Sequence, residues 1–116
     1  MLIRIDQTAA GPLYEQVAAS VRRAIADGTA APGERLPVAR DLAASLDLNV
    51  HTVLRGYQML RDEGLIELRR GRGAVVTADA TTRGRLQEAI RDLVAEARRH
   101  GIGAGELADL VKKEMT

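Results

Sequence analysis

The stretch with the most evident chemistry is residues 65–77, LIELRRGRGAVVT, in which two apolar runs enclose a basic tip. The tip combines three cationic residues with two glycines: Arg69, Arg70, Gly71, Arg72 and Gly73. Guanidinium groups form paired hydrogen bonds with phosphate, and glycine permits the positive φ angles of a tight turn. The pattern predicts a hairpin with strands over about 65–69 and 74–78, whose tip would suit an anionic partner.

Helical periodicity precedes this hairpin. Apolar residues three and four positions apart predict helices over about 38–46 and 50–63. Asn49, in the tight turn between them, is a suitable N-cap for the second helix. The second helix should present polar residues away from its apolar stripe: His51, Thr52, Arg55 and Gln58. Such side chains can reach base edges and phosphates when a recognition helix lies in the DNA major groove.

Each feature also has a more ordinary interpretation when it is considered alone. Two short helices with a tight turn occur in many proteins that do not bind DNA, and a basic hairpin tip is usually a solvated turn. Arg40, in the first helix of the pair, could form an ion pair with Asp41 or Asp47. Together, and in this order, the features predict a winged helix-turn-helix.

Composition narrows the class of protein. The 116 residues carry 17 basic and 16 acidic side chains, so the net charge of +1 does not indicate nucleic-acid binding. The absence of cysteine excludes disulfides and thiolate metal sites. No segment approaches a signal peptide or a membrane span, so we expect a cytoplasmic protein without a membrane partner.

The remaining chain divides at a polar stretch, ADATTRG, over residues 78–84. Before it, we expect a short edge strand over 2–5 and a helix over 13–27; after it, helices over 82–100 and 105–115. The predicted fold class is mainly α with a small β-wing. A winged helix-turn-helix head, residues 1–78, would carry a short C-terminal two-helix dimerisation tail, residues 79–116.

The tail has apolar side chains along one face of each predicted helix. They are Leu86, Ile90, Leu93, Val94, Ala97, Leu107, Leu110 and Val111. One short helix is too small to cover the stripe of the other, and an exposed apolar patch of this size is typical of an interface. A two-fold partner would bury it with the same surface on both chains. The alternative is that the tail folds back on its own head.

Catalytic groups are few. Ser20 and Ser45 have no sequence context that would activate them, and His51 and His100 do not have the spacing of metal ligands. The GRG at 71–73 lacks the Lys-Ser/Thr of a phosphate-binding loop. The acidic side chains, including Glu63 and Glu67, are interpreted as solvated. We therefore predict no enzymatic activity, no cofactor and no metal site.

Residues 11–78 resemble the GntR family of bacterial transcription regulators. PLYEQVAASVRRAIADG resembles the first helix of the family, and APGERLPVARDLAASL its loop and second helix. LNVHTVLRGYQMLRDEGLIELRRGRGAVV resembles the recognition helix and wing. The resemblance implies DNA contacts by the second-helix arginine, the start of the recognition helix, the wing and a basic loop residue. The corresponding residues are Arg40, His51, Thr52, Arg70, Gly71, Arg72, Gly73 and Arg35.

The sequence departs from the family pattern at apolar positions. Val38 stands where the family often has serine, so the second helix loses an N-cap. Val50 and Leu54 stand where some members carry DNA-contacting polar or basic residues. An apolar side chain there could touch a thymine methyl group or pack inside the protein.

The short tail resembles that of the small YtrA-like subfamily, which implies dimerisation through two helices. The leading hypothesis is a dimeric repressor that binds double-stranded DNA at a palindromic operator and occludes a promoter. The alternative is a protein-interaction module whose basic wing meets an acidic partner. A small-molecule effector, which the sequence does not identify, could bind at the dimer interface or between head and tail.

Overall fold

A computed structural model describes residues 3–6, 8 and 11–116. These residues form mainly helices with a single hairpin, which confirms the fold class expected from the sequence. The elements in chain order are α1 (Leu13–Ala26), α2 (Ala39–Leu46), α3 (Val50–Asp62), β1 (Ile66–Arg69), β2 (Gly73–Val76), α4 (Ala80–Arg99) and α5 (Ala104–Glu114).

A tight turn joins α2 to α3. Asp47 ends α2 in the left-handed region at φ 56°, a conformation that aspartate tolerates better than most residues. The Leu48 N–H then donates to the Ala43 carbonyl at 2.9 Å. Asn49 begins α3 as predicted, since its side chain accepts a hydrogen bond from the His51 N–H at 2.8 Å. At the start of α2, Val38 provides no side-chain cap, as its apolar character predicts.

The core is aliphatic and lies between α1, α3 and the hairpin. Its largest fully buried apolar side chains are Val17, Val21, Ile25, Val53, Leu60, Leu65, Ile66 and Val76. The crossing of α1 and α3 is close because α3 carries Gly56. A Cβ atom at that position would lie 3.0 Å from the Tyr14 carbonyl oxygen and 3.0 Å from Val17 Cγ1. Any side chain at Gly56 would push α3 away from α1.

One charged side chain belongs to this core. Arg22, on α1, is 1 % exposed, and its Nε and terminal nitrogen donate to both carboxylate oxygens of Glu63 at 2.8 Å. Arg91, on α4, approaches the same carboxylate at 3.6 Å. The expectation that Glu63 is a solvated acid is therefore wrong. Glu63 follows α3 directly and joins the end of that helix to α1 and α4.

The start of helix α4 packs in the core, whereas the rest of the helix does not. Its first residue, Ala80, is fully buried in the same core, and a Cβ atom at Gly84 would lie 3.1 Å from Ile25 Cγ2. The Arg85 Nε–H donates to the Ala26 carbonyl at the end of α1. The remainder of α4 extends beyond the head and turns back into α5. The division of the chain at residue 78 stays a prediction, and the first turns of α4 pack as part of the head.

The expected edge strand over 2–5 is wrong for the residues that the structure describes, and Leu2 lies outside them. Residues 3–6 are in no strand. The Asp6 N–H donates to Gln16 Oε1 at 2.9 Å, and Gln16 Nε2 donates to the Asp6 carbonyl at 2.8 Å. A helix side chain on α1 thus holds the backbone directly after the predicted strand, while Ile3 is buried in the core.

Candidate nucleic-acid interface

The wing is anchored at its base by the loop before α2. β1 and β2 pair antiparallel, with Arg69 opposite Gly73 at the tip, and Gly71 and Gly73 take φ angles of 79° and 71°. On the other edge of β2, the Leu36 N–H donates to the Ala74 carbonyl at 2.9 Å. The Val76 N–H donates to the Glu34 carbonyl at the same distance. These bonds fix the base of the hairpin and leave its tip extended into solvent.

The predicted basic residues of the wing differ in whether they form an ion pair within the chain. Arg69 forms an ion pair with Glu67 at 2.8 Å on its own strand. Arg70 and Arg72 are exposed, and neither has an ion pair within the described part of the chain. Arg35 donates from Nε to the Arg72 carbonyl at 2.9 Å. The tip therefore presents Arg70 and Arg72, and Arg35 helps to position it.

The start of α3 is exposed where the sequence predicts polar contacts. His51 and Arg55 lie at the surface, and Thr52 is half-buried. The Arg55 guanidinium lies over the Tyr14 ring at 4.0 Å from its centroid. This cation–π contact restrains the side chain without neutralising it. Asn49 Oδ1 accepts the cap hydrogen bond, and its amide nitrogen is left to donate to another partner.

Arg40 is exposed on α2, one residue after the helix begins. Among the described residues it forms no ion pair, so the alternative pairing with Asp41 or Asp47 is absent. The loop before α2 is held against α3 by Tyr57, whose hydroxyl donates to the Pro37 carbonyl at 2.7 Å. Burial raises the pKa of the Tyr57 phenol, so this donor keeps its proton.

An apolar cleft of about 510 Å³ lies between the start of α2, α3 and the wing. Val38, Leu54 and Leu68 line it and are 59 %, 40 % and 47 % exposed. Arg35, Arg70 and Arg72 form part of the same lining. Val50, in contrast, is half-buried and packs against the core. The structure thus separates the two positions that the sequence left open: Val50 packs inside, and Leu54 is available at the surface.

This cleft is the main feature that the sequence did not identify. The sequence did indicate one residue of the cleft, because Leu54 follows His51 by three positions and so shares the outward face of α3. Val38 and Leu68 belong to other elements. Their place beside Leu54 depends on how the wing and the loop before α2 fold onto α3.

A second apolar groove, of about 620 Å³, lies between α4 and α5. It includes most of the residues predicted for dimerisation: Leu86, Ile90, Leu93, Val94, Leu107 and Val111. Leu86, Ile90, Leu93, Leu110 and Val111 are exposed within this single chain. The head packs on the first turns of α4 and does not cover these side chains, so folding back of the tail does not account for them.

Ala97 differs from the other residues predicted for dimerisation. It is already buried within its own chain, where α4 turns towards α5, and its carbonyl accepts a hydrogen bond from the Ile102 N–H at 2.9 Å. Its small side chain is therefore less accessible to a partner than the exposed residues of the stripe, and its part in dimerisation stays a prediction.

The part of the chain that the structure describes contains no group of three or more His, Cys, Asp or Glu side chains that could hold a metal ion. No described helix is both long and apolar enough to cross a membrane.

Known proteins resemble this chain in sequence and in structure. The family model described as "Bacterial regulatory proteins, gntR family" matches residues 13–76. The HTH-type transcriptional repressor YtrA of Bacillus subtilis is 31% identical over 97% of this chain and 91% of its own length. The HTH-type transcriptional regulator Rv1152 of Mycobacterium tuberculosis is 32% identical over 86% of this chain and 83% of its own.

A solved structure agrees with these matches. YtrA from Sulfolobus acidocaldarius, described as a GntR-family transcription factor, superposes with a TM-score of 0.64 and 36% identity. The match covers 82% of this chain and 99% of that one, so it extends beyond the head into the tail.

Proposed function

The chain belongs to the GntR family of bacterial regulatory proteins, and from this premise we propose that it is a dimeric repressor that binds a palindromic operator and occludes a promoter. It is a DNA-binding transcription regulator rather than an enzyme, since its relatives are named as regulators over most of its length. Its place of action in this proposal is the cytoplasm, where bacterial DNA lies.

The observation that carries the proposal is the placing of unpaired cations around one cleft. Arg70 and Arg72 line the cleft from the wing, and Arg40 lies on α2 directly after Ala39, which also lines it. A helix lying in the major groove would bring the wing towards the adjacent backbone or minor groove, where arginine is favoured. Charges on both elements therefore suit a single duplex.

The proposed contacts fall into groups. Arg40, Arg70 and Arg72 would meet phosphates or the minor groove, and Gly71 and Gly73 would allow close approach of the wing backbone. His51, Thr52 and the Asn49 amide would face base edges or phosphates at the start of α3. Arg35, Arg55 and Arg69 each have a partner within the chain, so we assign them supporting contacts to the DNA backbone.

Residues 79–116 would form the dimerisation tail of this proposal and residues 1–78 the DNA-binding head. The exposed groove between α4 and α5 supports this division, since a second copy would cover it with the same surface. Because α4 also packs on α1, the geometry of the dimer would set the distance between the two recognition helices. That distance determines the spacing of the operator half-sites.

The proposal is tested by binding of the purified protein to the DNA upstream of its own gene. We expect saturable binding with two chains per site that survives a scrambled competitor, at two salt concentrations. Binding that collapses equally on both DNAs as salt rises would indicate only a non-specific attraction of cations. In that case the wing would more suitably be tested against acidic protein partners.

Dimerisation through the tail is tested by Ile90→Asp. We expect the wild type to be a dimer at micromolar concentration without DNA, and the variant to be a monomer with a folded head, because the carboxylate would be buried unpaired. Sedimentation gives the mass, and circular dichroism checks the fold. Met115→Asp is the matched control, since Met115 is exposed but lies outside the groove. A monomeric wild type would contradict the proposal.

A further inference from the structure

Large apolar side chains are exposed beside the cations of the proposed DNA face. Val38, Leu54 and Leu68 belong to three separate segments, yet they line one cleft with Arg70 and Arg72. Burial in the core does not explain them, because each of the three is more than a third exposed. The surface that would meet a polyanion therefore contains an apolar centre with cations at its edge.

Leu54 has the most informative position of the three. It follows His51 by one helical turn on the outward face of α3, within the half of the helix nearest its N-terminus. In helix-turn-helix proteins this part of the recognition helix contacts base edges. Arg40 on α2 and the arginines of the wing would hold the phosphates on either side, so Leu54 would point at the floor of the major groove.

The floor of the major groove offers an apolar group at one base only. Guanine, cytosine and adenine present hydrogen-bond donors and acceptors there, whereas thymine also presents its C5-methyl group. Polar base edges would lose hydrogen bonds to water against a leucine side chain, which disfavours the other bases at this place. The charge around the cleft selects DNA as its occupant, and the apolar centre selects thymine.

We propose that Leu54 reads the methyl group of a thymine in each operator half-site, with Val38 completing the apolar contact. The inference rests on the proposed function and adds a specificity-determining residue to it. It assigns one fixed base to an otherwise unknown operator. It also gives a role to the position where the sequence departs from the polar pattern of the family.

The test removes single methyl groups from the DNA. After the operator is located by footprinting, each thymine of one half-site is replaced in turn by deoxyuridine, which lacks the methyl group. Each replacement is then also made at the matching position of the other half-site. At one position we expect the wild-type affinity to fall about fourfold for each half-site, the effect of one methyl-sized group. With both half-sites changed, the loss should be about fifteenfold.

The variant Leu54→Ala should bind the thymine operator more weakly and lose nothing further at that position when deoxyuridine replaces thymine. His51→Ala is the control, because it removes a polar neighbour on the same face and should keep the full deoxyuridine effect. Thermal unfolding checks that both variants fold.

Equal deoxyuridine sensitivity in the wild type and Leu54→Ala would overturn the inference, and so would the absence of any sensitive thymine. Both results would leave the proposed function intact, since they presuppose specific binding. Failure of the wild type to bind its upstream DNA would instead overturn the proposed function, and the inference with it.

Discussion

Glu63→Gln is expected to lower the free energy of unfolding by about 3–5 kcal/mol, the usual effect of leaving a buried charge without its partner. Arg22 is 1 % exposed and donates to both oxygens of this carboxylate, which is itself 12 % exposed. Glutamine offers one acceptor and turns an N–H donor towards the second guanidinium nitrogen. The measurement is urea unfolding at a fixed protein concentration, because a dimer's stability depends on concentration.

Glu67→Gln is the matched control for this change. Glu67 also pairs with an arginine, Arg69, but both side chains are about half exposed. Exposed pairs contribute about 0–1 kcal/mol, so the control should unfold at nearly the wild-type urea concentration. Equal losses of unfolding free energy in the two variants would show that the Arg22–Glu63 pair stabilises the fold no more than an exposed pair does.

A further variant separates the pair from its parts. Arg22→Met should cost less than Glu63→Gln, because the remaining carboxylate still reaches solvent and Arg91 at 3.6 Å. The double variant with Arg22→Met and Glu63→Gln should recover part of the loss of Glu63→Gln alone, since no unpaired buried cation remains. A double variant less stable than Glu63→Gln would contradict this account.

Removal of both free wing arginines, Arg70→Ala with Arg72→Ala, is expected to produce the largest loss of DNA affinity. A dimer would lose four cations, and each phosphate contact contributes about 0.9 to the slope of log K against log salt. The slope should become shallower by as much as about 3 to 4. At about 0.1 M salt the affinity should fall roughly a thousandfold, on specific and unrelated DNA alike.

Arg69→Ala is the control for the wing. It removes an arginine from the same hairpin, but one whose charge is already paired with Glu67. We expect a much smaller change in slope from this variant. The measurement is fluorescence anisotropy of labelled operator and of scrambled DNA at several salt concentrations. An unchanged slope in the double variant would exclude the wing from the DNA interface.

The sequence by itself determined the helices and the hairpin of this protein and their order. The predicted helices and hairpin lie within about two residues of those observed, because local rules specify them: apolar periodicity, the Asn49 cap and the glycines of the wing. The exposed stripe of α4 was likewise readable from spacing. The side of each helix that meets solvent follows from its own pattern.

Tertiary structure decided which of the charged and apolar residues have partners. Arg22 and Glu63 are 41 positions apart and meet because α3 packs on α1, a crossing that Gly56 allows to be close. The pairing of the wing with the loop before α2 places Arg35 against the Arg72 carbonyl, and the packing of both onto α3 gathers Val38, Leu54 and Leu68 around one cleft. Local patterns describe the face of an element, whereas a contact between distant residues depends on how two faces pack, and a single chain's periodicity carries no information about that.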